Sequence, residues 1–150
     1  MKLILLRGPS GTGKSTIARH LAAPHGDQSA FHETDQFFVD ERGVYHFAVS
    51  KLRSAHEWNQ LQVERSMQQG KSPVIVANTF IAHWEMERYL ELAEEYKYEV
   101  EIIRTPGPWD PAVLNSRNKH SVPLDVLKRH VNGYQPHDDE KPWTDMSVFG

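Results

Sequence analysis

An α/β fold, with parallel strands alternating with helices about one sheet, is predicted by three features of this chain. The apolar run Leu3-Ile4-Leu5-Leu6 leads directly into a glycine-rich turn and then a helical segment. A second apolar run, Pro73-Val74-Ile75-Val76-Ala77, follows a long stretch of helical spacing and precedes another. A third segment, residues 98–103, alternates after that helix. Short continuous apolar runs mark strands buried on both faces, and helices between such strands imply parallel crossovers.

The elements follow in order. Residues 3–6 form the first strand, and residues 15–23 a helix stopped before Pro24 and Gly26. Residues 30–33 are a weak second strand leading to Thr34-Asp35. Residues 40–43 make a turn, and 44–47 a short extended piece. The spacing of Leu52, Ala55, Trp58 and Leu61 predicts a long helix over residues 49–69, with Gly70 as its stop. After the strand at 73–77, helix 84–96 places Met86, Tyr89, Leu90 and Ala93 on one face and most of its glutamates on the other. Trp84 and Tyr89 read as packing residues. In strand 98–103, Val100 and Ile102 face the same way. Thr105-Pro106-Gly107-Pro108 then breaks the pattern, before short helices at 110–115 and 123–134, the latter opened by Pro123. One domain over residues 1–136 results. Residues 137–150 read as a polar tail with two isolated aromatics, expected to be loosely held.

Composition narrows the function classes. A chain of 150 residues with 39% hydrophobic and 25% charged residues has the makings of one core. The absence of cysteine excludes disulfides, thiolate nucleophiles and sulfur-ligated zinc, and it fits a reducing compartment. No histidine pattern has zinc-type spacing. No stretch reads as a secretory signal or a membrane span, so a cytoplasmic location without a membrane partner is expected. Net charge of −3 provides no global attraction for nucleic acid. The glutamates of residues 85–101 read as a solvated helix face. Arg117, Lys119, His120, Lys128, Arg129 and His130 form a basic stretch where a phosphate-handling lid, at about residues 115–123, is expected.

The chemistry is carried first by the run Gly8, Pro9, Ser10, Gly11, Thr12, Gly13, Lys14, Ser15 and Thr16. Gly8, Gly13, Lys14 and Ser15 match G-x-x-x-x-G-K-[ST] in full. Glycines allow successive backbone N–H groups to point inward at phosphate oxygens. Lys14 supplies a mobile charge for the β- and γ-phosphates, and the Ser15 hydroxyl a ligand for Mg²⁺. The following helix adds its open N–H groups and positive dipole end. A strand before and a helix after complete the expected context. The chain is therefore read as a P-loop NTPase, a three-layer sandwich with a central parallel sheet and a helical lid, binding ATP and Mg²⁺. An Asn/Thr-Lys-x-Asp element for guanine is absent, and Ala77 stands where motor ATPases place a metal-holding carboxylate.

Transfer to a hydroxyl needs a proton acceptor. Asp35 lies just beyond the second strand, on the side where such sheets bind ligands. By spacing alone a turn-capping role is equally open to it. His56 and Asn59, one helical turn apart, read as a polar pair bracing loops near the acceptor.

Several further segments occur in a fixed order: Thr34-Asp35-x-Phe37-Phe38, Gly43-x-Tyr45, Ala55-His56-x-x-Asn59, Val76-x-Asn78-Thr79, Trp84-Glu85-Met86-x-x-Tyr89 and Arg117-Asn118-x-His120-x-Val122-Pro123. With the phosphate loop, they resemble the polynucleotide-kinase-like P-loop family over roughly residues 1–134. The resemblance implies that Asp35 is the general base acting on a 5′-hydroxyl. It implies that Arg117 belongs to a lid over the ATP phosphates, and that Asn78 and Thr79 line the acceptor side. Phe38 stands where the bacteriophage member of the family has an acceptor-binding arginine, and Gln36 where the motif often has a second carboxylate. Ala77 and Phe80 replace polar residues common in relatives.

The expected function is an ATP-dependent kinase acting on a hydroxyl, preferably the 5′-OH of a DNA or RNA end. Asp35, Phe38, Asn78 and Thr79 are the expected acceptor-binding residues, and Lys14, Asp35 and Arg117 the catalytic ones. A kinase of a nucleoside, nucleotide or other small hydroxylated molecule is the first alternative, favoured by Phe38 and the acidic net charge. A non-catalytic ATP-binding regulator is the second; the joint presence of Lys14 and Asp35 speaks against it.

Overall fold

The computed structural model describes residues 1–117 and 122–150. Five parallel strands form one sheet in the order β2-β3-β1-β4-β5. They are β1 (Lys2–Arg7), β2 (Ala30–His32), β3 (Val74–Ala77), β4 (Glu99–Arg104) and β5 (Glu140–Pro142). The helices are α1 (Lys14–Ala22), α2 (Leu52–Gln68), α3 (Glu87–Tyr96), α4 (Pro111–Ser116) and α5 (Leu124–Gly133). The α/β class read from the sequence is the observed one.

Strand β1 is apolar without alternation because it is covered on both sides. Leu3 and Leu5 enter a core shared with Val63 and Met67 of α2 and Leu92 of α3. Ile4 and Leu6 enter a second core with Ile17 and Ala18 of α1. Burying a side chain of this size stabilises by about 1.5–3 kcal/mol, so β1 anchors both layers. Among the described residues no helix is long and apolar enough to cross a membrane.

Three expectations are corrected. The buried stripe of α2 is Ala55, Asn59, Val63, Ser66 and Met67, while Leu52 and Leu61 are exposed and Trp58 is half-buried. Two polar residues share that stripe because each has a partner: Asn59 Nδ2 donates to the Tyr89 hydroxyl at 2.8 Å, and Ser66 Oγ pairs with His32 Nε2 at 2.7 Å. Trp84 is 70% exposed rather than packed. The predicted helix at 84–96 begins as a 3₁₀ turn, His83–Met86, which directs Met86 inward and leaves Trp84 outside.

The third correction concerns the tail. Residues 137–150 are docked rather than loose: β5 extends the sheet beside β4, and Trp143 N donates to Arg104 O at 2.9 Å. Trp143 and Val148 pack against the α1-side core. The physical reason is Arg7, the last residue of β1, which is fully buried. Its Nη1 donates to Glu140 Oε1 at 2.7 Å, Nε to Phe80 O at 3.1 Å and Nη2 to Ile81 O at 3.3 Å. The guanidinium also lies 4.2 Å from the centre of the Tyr134 ring. Glu140 in turn accepts from the Tyr134 hydroxyl at 3.0 Å and the His137 N–H at 2.9 Å.

Removing one partner of such a pair leaves a desolvated charge. Arg7→Met is expected to lower unfolding stability by about 3–5 kcal/mol, and Arg7→Met with Glu140→Leu to recover part of that loss. Denaturant unfolding of the two variants checks this. A single variant as stable as the parent would refute the role given to the pair.

Candidate functional site

The loop after β1 is suspended between two strand ends. Gly8 N donates to Thr79 O at 3.1 Å beyond β3, and Thr105 N beyond β4 donates to Arg7 O at 3.0 Å. Thr105 Oγ1 donates to Thr12 Oγ1, and Thr12 Oγ1 to Pro9 O, both at 2.7 Å. Gly11 and Gly13 have φ of 83° and 96°, in the region that favours glycine. A β-carbon at Gly13 would run into the Phe149 ring. No side chain caps α1, so its first N–H groups are left without a side-chain partner, as an anion-binding helix end requires.

Lys14 Nζ donates to Gly8 O at 2.8 Å and Pro9 O at 3.0 Å. Enclosure of the ammonium lowers its pKa to about 8, although Asp35 and, less strongly, Glu33 favour the charged form. Thus Lys14 and Asp35, far apart in sequence, act electrostatically as neighbours.

Asp35 sits on the 3₁₀ turn Thr34–Phe38 that follows β2. Its Oδ1 accepts from the Tyr45 hydroxyl at 3.3 Å. Burial, with the Asp35 charge beside it, raises the Tyr45 pKa to about 12, so the phenol stays a donor. Asn78 lies just past β3, and its Oδ1 accepts from Thr34 N at 3.0 Å. This bond ties the Asp35 turn to the sheet.

Glu33 was not singled out from the sequence. Its Oε2 accepts from Ser15 Oγ at 3.2 Å, and its Oε1 from Gln36 Nε2 at 3.0 Å. Its position two residues before Asp35, at the end of a strand, was the available signal. Ser15 and Glu33 are the oxygen donors that could hold a hard cation beside the loop. Among the described residues no three His, Cys, Asp or Glu side chains converge as a metal cage. A cation there would draw its remaining ligands from phosphate and water, which is the habit of Mg²⁺.

One cavity of about 1120 Å³ joins these parts. The loop residues Ser10 to Thr16, with Asp35, Asn78, Thr79 and Arg117, all line it; Gly8 and Pro9 form the base beneath Lys14. Phe38 is corrected. It is 5% exposed and does not line the cavity. It packs beneath Tyr45 and Phe47, at ring distances of 6.1 and 5.1 Å, and those two rings form the wall instead. Arg117, directly after α4, is exposed, its N–H on Leu114 O at 3.1 Å. Of the lid expected at 115–123, Asn118, Lys119, His120 and Ser121 lie outside the described residues. Val122 and Pro123 line the cavity.

His56 also lines the cavity, while Asn59 is buried behind it. His130, read above only as part of the basic stretch, reaches the cavity from α5, and burial, Lys14 and Arg129 lower its pKa. Met146 and Phe149, from the docked tail, also line it and escaped sequence reasoning.

Comparison with known proteins agrees with this architecture. A family model described as an AAA domain matches residues 3–137. Human NEDD4-binding protein 2 is 37% identical over 136 residues, which are 89% of this chain but 8% of that protein. Rat 2′,3′-cyclic-nucleotide 3′-phosphodiesterase is 23% identical over 137 residues, 89% of this chain and 31% of the relative. The chain thus spans a small part of the curated relatives named here. Among solved structures, a chain of the Pnkp1/Rnl/Hen1 RNA repair complex superposes with a TM-score of 0.68 at 20% identity, over 88% of this chain and 43% of that one. A gluconokinase from Sinorhizobium meliloti 1021 superposes with a TM-score of 0.58 at 17% identity, over 94% and 81%. At these identities the two structures speak for the fold. The chain belongs to the AAA-domain family, and its fold is the P-loop kinase-like fold of those neighbours.

Proposed function

We propose that this chain is a cytoplasmic, ATP-dependent and Mg²⁺-dependent kinase that transfers the γ-phosphate to a hydroxyl, with the 5′-OH of a DNA or RNA end as acceptor. The observation that carries the reading is the meeting of Lys14 and Asp35 in one cavity, where the carboxylate favours the charged form of the lysine. A bare nucleotide binder has no use for a carboxylate there. A kinase needs one to take the proton of the attacking hydroxyl.

In this mechanism the acceptor oxygen attacks the γ-phosphorus, the bond from that phosphorus to the β–γ bridging oxygen breaks, and ADP leaves. Asp35 receives the hydroxyl proton, and Tyr45 orients it by donating to Oδ1. Lys14 exchanges the carbonyls of Gly8 and Pro9 for β- and γ-phosphate oxygens. Ser15 and Glu33 would hold Mg²⁺, which neutralises developing phosphate charge. Arg117 adds a planar cation to the transferred group.

A second reading, a small hydroxylated acceptor, is favoured by one observation. The wall beside Asp35 is aromatic, Tyr45 and Phe47, where a polynucleotide would gain from cations.

Asp35→Asn is expected to keep ATP affinity within a few-fold while lowering the transfer rate about 10²-fold or more. The assay is transfer from labelled ATP to 5′-OH DNA and RNA oligonucleotides, nucleosides and polyols. Labelling of oligonucleotides supports the first reading; labelling of small acceptors alone replaces it with the second. ATP binding with no transfer to any of them would point to the regulator.

Lys14 yields a pH signature. Its pKa is about 8 without phosphate, and an anion beside it holds it charged to higher pH. Complex formation therefore takes up protons, and ATP affinity should fall as pH rises from 7.5 to 9.5. Calorimetry in buffers of different ionisation enthalpy measures both effects. Lys14→Ala should bind weakly and lose the dependence; persistence of the same slope in that variant would assign it to another group.

A further inference from the structure

The two aromatics of residues 137–150 are unexplained by phosphoryl transfer, and one of them stands on the phosphate loop. The ring of Phe149 lies against Gly13, so closely that a β-carbon there would collide with it. Phe149 is 40% and Met146 56% exposed, and both line the cavity.

This placement is built into the fold. β5 fixes residues 140–142 to the sheet, and Trp143 is held through its N–H on Arg104 O. The Trp143 indole Nε1 donates to Asp145 O at 2.8 Å, and its ring packs edge-on to His20 at 5.8 Å. Asp145 Oδ1 then accepts from Ser147 N at 3.1 Å, opening the 3₁₀ turn Met146–Phe149. Val148 is seated against the α1-side core, which leaves Phe149 on the loop side.

The direction of the nucleotide follows from charge. The reacting phosphate must face Asp35, which lines the cavity together with its partner Tyr45 and with Asn78. The nucleoside then leaves the loop away from Asp35. Gly11 approaches Leu114 O and Arg117, while Gly13 approaches Phe149. We propose that the turn Met146–Phe149 forms the nucleobase wall of the nucleotide site, with the Phe149 ring as the surface on which the base stacks. The proposal rests on the kinase reading of the phosphate loop. A phenyl face and a thioether offer contact area without a donor–acceptor code, so bases are distinguished weakly.

The test compares Kd for ATP and for inorganic tripolyphosphate, measured on the full chain for wild type, Phe149→Ala and Phe149→Trp, with folding checked by circular dichroism. Stacking on an aromatic is worth about 1–3 kcal/mol per base, so Phe149→Ala should weaken ATP binding roughly ten-fold or more. Tripolyphosphate affinity should change less than about two-fold, since it lacks the base. Phe149→Trp should retain ATP affinity and gain a fluorescence response, relative to wild type, to ATP and not to tripolyphosphate. Unchanged ATP affinity in Phe149→Ala overturns the proposal. Tighter ATP binding in that variant also overturns it, by showing the ring to be an obstruction. An equal loss for both ligands makes Phe149 a support of the loop instead. If wild type binds neither ligand, the kinase reading falls and the proposal with it. If it binds tripolyphosphate as well as ATP, the cradle stands and the base wall falls.

Discussion

A charge removed from water must find its counter-charge, and this molecule is arranged around one such requirement. Arg7 is fully buried at the end of β1, one residue before the phosphate loop begins. Its planar fork reaches the carbonyls of Phe80 and Ile81 after β3 and the carboxylate of Glu140 in β5. Tyr134, after α5, covers the guanidinium face. Two stretches distant in sequence, residues 80–81 and 134–140, are thereby fixed to the strand from which the loop springs. A lysine could not replace this geometry, because an ammonium has neither the fork nor the flat face. Phe80, at φ 46°, bends the chain so that its carbonyl meets the arginine.

The site inherits its shape from sheet order. Parallel strands present their carboxyl ends on one side, which is where ligands bind in open α/β sheets. Because β3 lies between β2 and β1, the residues following β3 touch both neighbours. Thr79 O receives Gly8 N of the phosphate loop, and Asn78 Oδ1 receives Thr34 N of the Asp35 turn. The short Asn78-Thr79 connection thus joins the cationic half of the cavity to the acidic half. Glu33 adds a carboxylate on the Ser15 side, and Tyr45 constrains the carboxylate of Asp35.

Much of the fold was legible because it rests on local rules. The runs at 3–6 and 73–77 had to be buried strands, and the glycine pattern required a loop that places backbone N–H groups inward. What escaped depends on partners distant in sequence. Asn59 and Ser66 lie on the buried side of α2 with partners on other elements, the Tyr89 hydroxyl for Asn59 Nδ2 and His32 for Ser66 Oγ. The polar tail reads as loose until the need of Arg7 for Glu140 is known. Phe38 closes the turn that carries Asp35, yet its side chain packs behind Tyr45 and Phe47. Adjacency in sequence gave the neighbourhood of Asp35, but not which rings face the cavity.

The two outer strands carry a consequence of a different kind. β2 and β5 have three residues each, and β5 ends in Pro142, which has no N–H to offer. A long, flat outer strand is a template on which a foreign strand can add, the first step toward aggregation. Here an incoming strand would find only a few backbone groups at either margin, and one fewer donor at Pro142. The sheet thus stops growing at both sides by brevity, and its ligand-binding end stays clear of chance strand addition.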